Sequence, residues 1–255
     1  MKKFTIGSGR FPDVLVTESH LYIAYGDVNN TGKLLTYARG VVDGDLGVQL
    51  SIQKLPSANT VSTYPRLLWD DGTLWCAYMA NGPRKLSPTQ GYLWHVVHQG
   101  PNTHLGIAGG QRAVALGSDS VYWVGRRVKL NGMWGPRPIF RRPLTALNAV
   151  KVDERQTSQG ISHITGTTPV YADEKNPANG RLWMSQGTDG TLTALDNRDS
   201  GLKLTMQDEA KTLTVYPKER MNAPRVASYG GLFAIVVDGP PHGIRLILLT
   251  RADFA

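Results

Sequence analysis

Hydrophobic positions along this chain come in short runs, and the three- and four-residue spacing of an amphipathic helix is nearly absent. Leu21-Tyr-Ile-Ala-Tyr25, Leu74-Trp-Cys-Ala-Tyr78 and Leu232-Phe-Ala-Ile-Val236 have the aromatic and aliphatic make-up of buried strands. Further strands are predicted at Asp13–Val16, Lys33–Tyr37, Val48–Leu55, Arg66–Trp69, Tyr92–Val97, Ala113–Leu116 and Val121–Val124. Others follow at Arg181–Met184, Thr191–Leu195, Leu202–Met206, Thr212–Tyr216 and Arg245–Thr250. Between them fall Asn29-Asn-Thr-Gly32, Asp70-Asp-Gly72, Asn131-Gly132 and Thr188-Asp-Gly190, which supply the positive-φ residues of tight hairpin turns. The pattern predicts an all-β chain of antiparallel hairpins.

These strands echo one another. Arg10-Phe-Pro-Asp-Val-Leu-Val16 leads to His20-Leu-Tyr-Ile-Ala-Tyr25, and Thr63-Tyr-Pro-Arg-Leu-Leu-Trp69 leads to Thr73-Leu-Trp-Cys-Ala-Tyr78. Gly110-Gln-Arg-Ala-Val-Ala-Leu116 leads to Ser120-Val-Tyr-Trp-Val124, and Ala223-Pro-Arg-Val-Ala-Ser-Tyr229 leads to Leu232-Phe-Ala-Ile-Val236. A unit of about 40–50 residues is the length of one four-stranded propeller blade. The expected fold is therefore a five-bladed β-propeller, with six blades as the alternative. Its blades fall at about 10–58, 63–108, 110–155, 160–218, and 223–255 together with 1–9. Lys2–Ile6 has no strand before it, so it is expected to pair outside Arg245–Thr250 and close the last blade. In the fourth unit Ile161–Ile164 or Thr168–Tyr171 opens the blade, Arg181-Leu-Trp-Met184 is its second strand, and an insertion separates them.

The run from Pro12 through Leu21-Tyr-Ile-Ala-Tyr-Gly-Asp27 and Lys33-Leu-Leu-Thr-Tyr-Ala-Arg39 to Asp43-Gly44 resembles the BNR, or Asp-box, family of sialidase-like propellers. The resemblance is best over residues 10–45 and fair over 63–80 and 223–238. No intact Ser-x-Asp-x-Gly-x-Thr-Trp box occurs; Val42-Asp-Gly-Asp-Leu-Gly47 and Gly187-Thr-Asp-Gly-Thr-Leu192 are degraded versions at most. Such a likeness implies a blade shape more than an activity, since proteins of this kind act as glycosidases, lectins or interaction platforms.

Composition narrows the function classes. The chain has 255 residues, 41% hydrophobic and 19% charged, enough for a sizeable core without staples. Its net charge of +8 suits an anionic partner without choosing among them. The single cysteine, Cys76, excludes an internal disulfide and a multi-cysteine zinc site, and its place in a strand predicts a small buried hydrophobe. The start, Met1-Lys-Lys-Phe-Thr, lacks the apolar stretch of a secretory signal, and no run reaches membrane-spanning length. Cytoplasmic synthesis in a reducing compartment is the expectation, without membrane insertion.

The module places Asp13, Arg66, Arg112 and Arg225 at equivalent positions near the channel rim, with Tyr64 beside them. Converging guanidiniums repel unless neutralised, and their planar forks fit carboxylate, phosphate or sulfate. The family resemblance points the same way, because sialidases hold a sugar carboxylate with three arginines. An alternative stays open: a structural network in which Asp13 pairs with one arginine and Glu18, Asp70 or Asp71 satisfies the others. Glycoside hydrolysis takes two carboxyl groups, or a tyrosine nucleophile with an acid. Asp13 is one acid and Tyr64 or Tyr229 lies near the rim, but no second acid occupies an equivalent position; Asp173 and Glu174 read as a solvated loop. No catalytic set is assigned.

His95 and His98 have opposite strand parity, and His104 lies further on, so no metal site and no cofactor are expected. The tryptophans at 69, 75, 94, 123 and 183 are expected in the core between blades. Trp134, in a Gly/Pro-rich loop, is expected to be displayed. It belongs to a basic patch of Arg126, Arg127, Lys129, Arg137, Arg141 and Arg142, six cations within 17 residues and no acid. The patch fits docking to an acidic protein surface. Nucleic acid is disfavoured because no recognised binding motif accompanies it. The expected function is a non-catalytic binding or structural propeller engaging a partner protein or an anionic glycan, such as a phage tail or virion component. The alternatives are a sialidase-like exo-glycosidase and an intracellular scaffold for acidic protein or nucleic acid.

Overall fold

A computed structural model describes residues 1–27, 35–55, 61–70, 73–81, 90–95, 103–108, 114–116, 120–124, 129–135, 137–143, 150–155, 161–165, 168–171, 182–187, 192–197, 201–206, 208–219, 221–240 and 243–254. Among them all regular structure is strand, apart from one 3-10 turn at Arg251–Phe254.

β1 (Lys2–Val16), β2 (Leu21–Asp27), β3 (Leu35–Val42) and β4 (Val48–Leu55) form an antiparallel meander. β5 (Val61–Asp70), β6 (Thr73–Asn81), β7 (Gln90–His95) and β8 (Thr103–Ala108) form a second. In the third sheet, β9 (Val114–Leu116) and β10 (Ser120–Val124) are followed by a small hairpin, β11 (Lys129–Leu130) and β12 (Met133–Trp134). β13 (Arg137–Pro143) and β14 (Val150–Arg155) complete that sheet. β15 (Ile161–Thr165) and β16 (Thr168–Tyr171) pair as a hairpin. β17 (Leu182–Gly187), β18 (Leu192–Asn197), β19 (Gly201–Met206) and β20 (Lys211–Val215) form another meander. The last group is β21 (Asn222–Tyr229), β22 (Leu232–Gly239) and β23 (Gly243–Leu249).

The sequence echo has a structural cause. The β1–β2, β5–β6 and β21–β22 hairpins each contain a register shift, between Arg10 and Asp13, between Thr63 and Arg66, and between Asn222 and Arg225. Each shift brackets a proline: Pro12, Pro65 or Pro224. Proline has no N–H for a ladder, so it is tolerated where the ladder is already interrupted by a bulge. Immediately after it come Asp13 opposite Ala24, Arg66 opposite Ala77 and Arg225 opposite Val236, at the same sequence separation in all three hairpins. The bulge and the charged residue behind it are thus one repeated device.

β1 serves two sheets. Lys2–Ser8 pairs antiparallel with β23, from Lys2 opposite Leu248 to Ser8 opposite Gly243, while Gly9–Val16 pairs with β2. The sequence predicts two separate strands here, and the chain makes one, bent at Phe11 with φ 54°. Gly9 permits the crossing, since a Cβ there would run into the Tyr25 ring and the Gly26 carbonyl oxygen, and one on Gly7 would meet the Tyr25 hydroxyl. The pairing of the N-terminal strand with the last hairpin is as expected.

Three apolar layers lie between successive groups. Leu202, Leu204, Phe233, Ile235 and Ile247 pack β17–β20 against β21–β23. Val14, Ile23, Ala234, Val236 and Leu246 pack β21–β23 against β1–β3. Tyr22, Tyr37, Leu67, Leu74 and Cys76 pack β1–β3 against β5–β6. First strands neighbour one another in the order β1, β5, β9, β15, β17, β21 and again β1. Between β17 and β21 the contact is a parallel ladder, Ser185–Gly187 with Val226–Ser228.

The stretch 160–218 differs from its predicted reading as one blade. Leu182–Met184 is not a second strand behind β15 or β16; it pairs with β18 and heads its own four-stranded meander. The module's proline-and-bulge start is missing before β17, so the sequence carried no mark of a new unit there.

Candidate functional site

The bulges aim Asp13, Arg66 and Arg225 at one another across three sheets. Asp13 is 0% exposed, Arg66 4% and Arg225 3%. Asp13 Oδ1 lies 4.0 Å from Arg66 Nη1 and 3.9 Å from Arg225 Nε. Its other oxygen, Oδ2, accepts the Leu67 backbone N–H at 2.8 Å. Arg66 Nη1 also donates to the Pro65 carbonyl oxygen at 2.5 Å. Burial pushes the Asp13 carboxyl up to about 6, although the Arg66 charge and the N–H groups of Leu67 and Val14 pull the other way.

This arrangement does two things chemically. It sets one carboxylate between two buried guanidiniums, offsetting one of their two charges, and it ties β1 to β5 where the two first strands share no ladder. Of the expected ring, the structure therefore brings together Asp13, Arg66 and Arg225. Arg112 lies outside the described residues, and at Tyr64 the described part is its place in β5. Tyr229 is partly exposed at the far end of β21. Asp173, Glu174, His98, Arg126 and Arg127 also fall outside the described residues.

Cys76 is fully buried beside this cluster, and burial holds its thiol far above the ordinary range. That matches a small structural hydrophobe. Among the described residues no group of three metal-ligating side chains occurs.

The basic patch separates into parts. Arg141 Nε donates to the buried Ser120 Oγ at 2.9 Å, and its guanidinium sits 5.9 Å from the Tyr122 ring centroid, so Arg141 is committed within its own sheet. Arg137 and Arg142 lie on the same strand, β13. Lys129 and Trp134 are backbone partners in the β11–β12 ladder, whose turn, Asn131-Gly132, has φ of 49° and 80°. Met133 there is 75% exposed; the exposure of Trp134 lies outside what is described.

One group of residues escaped the sequence reading. Trp69, expected in the core, is 37% exposed near the turn end of β5. Its ring lies 5.7 Å from that of Tyr22 at 21°, and Tyr22 lies 6.3 Å from Tyr37 at 19°. Opposite Tyr22 in the ladder is Arg39, which is exposed and whose Nη2 is 2.6 Å from His20 Nε2. A guanidinium has no acceptor, so Nε2 must accept and the ring proton sits on Nδ1, directed to Ser19 Oγ at 2.7 Å. Desolvation and then the Arg39 charge lower the His20 pKa. The available signal was the pairing of a tryptophan next to the Asp70-Asp-Gly72 turn with the aromatic that opens β2.

No family model matches the sequence, and no match was found among curated proteins. Solved structures with a similar fold include a sialidase from Trypanosoma rangeli, at TM-score 0.56 and 8% identity, covering 96% of this chain and 55% of that one. A GH43_1 enzyme from Xanthomonas citri gives 0.54 at 13% identity, covering 99% and 91%. An α-L-arabinofuranosidase from Lactobacillus brevis gives 0.50 at 10%, covering 96% and 91%. At these identities the likeness is one of fold. The chain is an all-β protein similar in architecture to β-propeller glycosidases.

Proposed function

We propose that this chain is a non-catalytic propeller that binds a carbohydrate-bearing partner, an anionic glycan in particular. The observation that carries the reading is the complete burial of Asp13. A general acid, base or nucleophile must reach its substrate, whereas this carboxylate is enclosed between two guanidiniums and a backbone N–H. The first strands from β1 to β21 offer one other acid, Asp70, at the turn end of β5. The hub cluster is then a structural lock, and ligand binding belongs on the surface. Support for a carbohydrate ligand is the architectural likeness to glycosidases together with a net charge of +8.

The circuit of six neighbouring first strands favours a ring of six units over five, with β15–β16 as one short unit and the N-terminal half of β1 completing the last. Protein docking through the displayed β11–β12 hairpin is compatible with this reading.

A glycan array combined with chromogenic arabinofuranoside, xyloside and sialoside assays tests the proposal. The expected result is retention of acidic glycans with no turnover. Hydrolysis that disappears in Asp13→Asn, with the fold intact by circular dichroism, would overturn it.

A further inference from the structure

We infer that the mouth of the seam between the β1–β4 and β5–β8 sheets is a saccharide subsite, with Trp69 as the stacking platform and Arg39 as the reader of a sugar carboxylate. This deepens the proposed function and rests on it.

The seam is built from two sides. On one sheet, His20, Tyr22 and Arg39 share a face, because His20 and Tyr22 are two apart along the chain and Tyr22 is directly opposite Arg39. From the other sheet Trp69 leans onto Tyr22. Tyr22 and Tyr37 are buried, so they floor the seam, while Trp69 and Arg39 remain at its mouth. The near-parallel stack holds the indole in one orientation, which lowers the entropy lost when a ligand settles on it.

The charge at the mouth is also unusual for a structural arginine. Among the described residues no carboxylate pairs with Arg39; its hydrogen-bond partner is the neutral His20 ring. A neutral acceptor positions the guanidinium without cancelling its charge, and the remaining N–H groups of the fork stay available for a planar anion. At the hub the same side-chain type is buried and shares the Asp13 carboxylate. An apolar, polarisable ring face beside an uncancelled guanidinium matches an acidic pyranose: axial C–H groups against the indole, carboxylate on Arg39.

The experiment is isothermal titration of the full chain with glucuronic-acid-terminated and sialic-acid-terminated oligosaccharides, each beside its neutral counterpart. Variants are Trp69→Ala, Trp69→Phe and Arg39→Gln, with thermal melts as folding controls. The inference expects Trp69→Ala to weaken binding at least about tenfold, and Trp69→Phe, which keeps a ring on Tyr22, to weaken it less. It expects Arg39→Gln to remove the preference for acidic over neutral sugar. Acidic-sugar binding unchanged in all three variants would overturn the subsite and leave the glycan-binding reading standing. Absence of binding to every acidic saccharide in the folded wild type would overturn both.

Discussion

The hub and the seam use arginine in opposite ways. At the hub, Arg66 and Arg225 are buried, and one carboxylate stands between them. At the seam, Arg39 is exposed and held by an uncharged ring. A buried ion pair brings little net stability because desolvation offsets its attraction, yet removing one partner is severe. An exposed guanidinium contributes little to folding in either state. The contrast teaches that the repeated charged position, which the sequence makes so prominent, is enclosed within the fold, whereas the inconspicuous Arg39 is a cation left at the surface beside an uncharged partner.

The largest expected effect is therefore at the hub. Asp13→Ala removes the carboxylate that lies between two buried guanidiniums and leaves the Leu67 N–H without its acceptor. We expect a loss of about 3–5 kcal/mol in denaturant unfolding. Asp13→Asn retains an acceptor for that N–H and should lose less. A change within about 0.5 kcal/mol in Asp13→Ala would mean that the cluster is not a lock and would erase the contrast.

Acid sharpens the comparison further. Asp13 titrates at about 6 in the folded protein, above its usual value of 3.8, mainly because of burial. The folded state therefore binds the proton more tightly than the unfolded one, and this group favours folding as pH falls through 6 toward 4. Most paired carboxylates act in the reverse sense. Relative to Asp13→Asn, the wild type should gain on the order of 2 kcal/mol between pH 7 and pH 4.5, read as the difference in unfolding free energy at the two pH values. A difference that shrinks or stays flat would show that the two guanidiniums, not desolvation, control the carboxyl.

Much of the hub was legible in the sequence and the seam was not, for a physical reason. Pro12, Pro65 and Pro224 mark interrupted ladders that any reader of backbone chemistry can find, and the residue behind each proline inherits one geometry. The apolar alternation of Lys2–Ile6 reads as a strand, and that strand pairs with β23 near the far end of the chain. The seam depends instead on how far one sheet extends past the next. Period-two alternation gives the face on which Trp69 points, but whether a strand end is covered is decided by a different sheet. The segment from β15 to β17 was misdivided because no proline bulge opens β17.

At the seam itself, Trp69→Ala removes a half-exposed ring and its stack on Tyr22. An aromatic pair contributes about 0.5–1.5 kcal/mol beyond area burial, so a loss of about 1–2 kcal/mol is expected in the same unfolding assay. That lies well below the Asp13→Ala effect, and equality of the two would place Trp69 in the architecture instead of at a binding surface.

The smallest stability effect should come from Arg39→Gln, within about 0.5 kcal/mol of wild type, as for other exposed charges. Its signature lies in titration. The Arg39 guanidinium donates to His20 Nε2, the atom a second ring proton must occupy, and its charge opposes a cationic imidazole 2.6 Å away. Removing it should raise the His20 pKa toward the ordinary histidine value, because desolvation alone then holds it down. Histidine ring resonances followed by NMR across pH 4.5–8 report this directly. An upward shift with unchanged stability identifies Arg39 as a cation positioned at the surface and uninvolved in folding. No shift would mean that the His20–Arg39 pair is open in solution, and the guanidinium would lose the orientation on which its selectivity for a carboxylate depends.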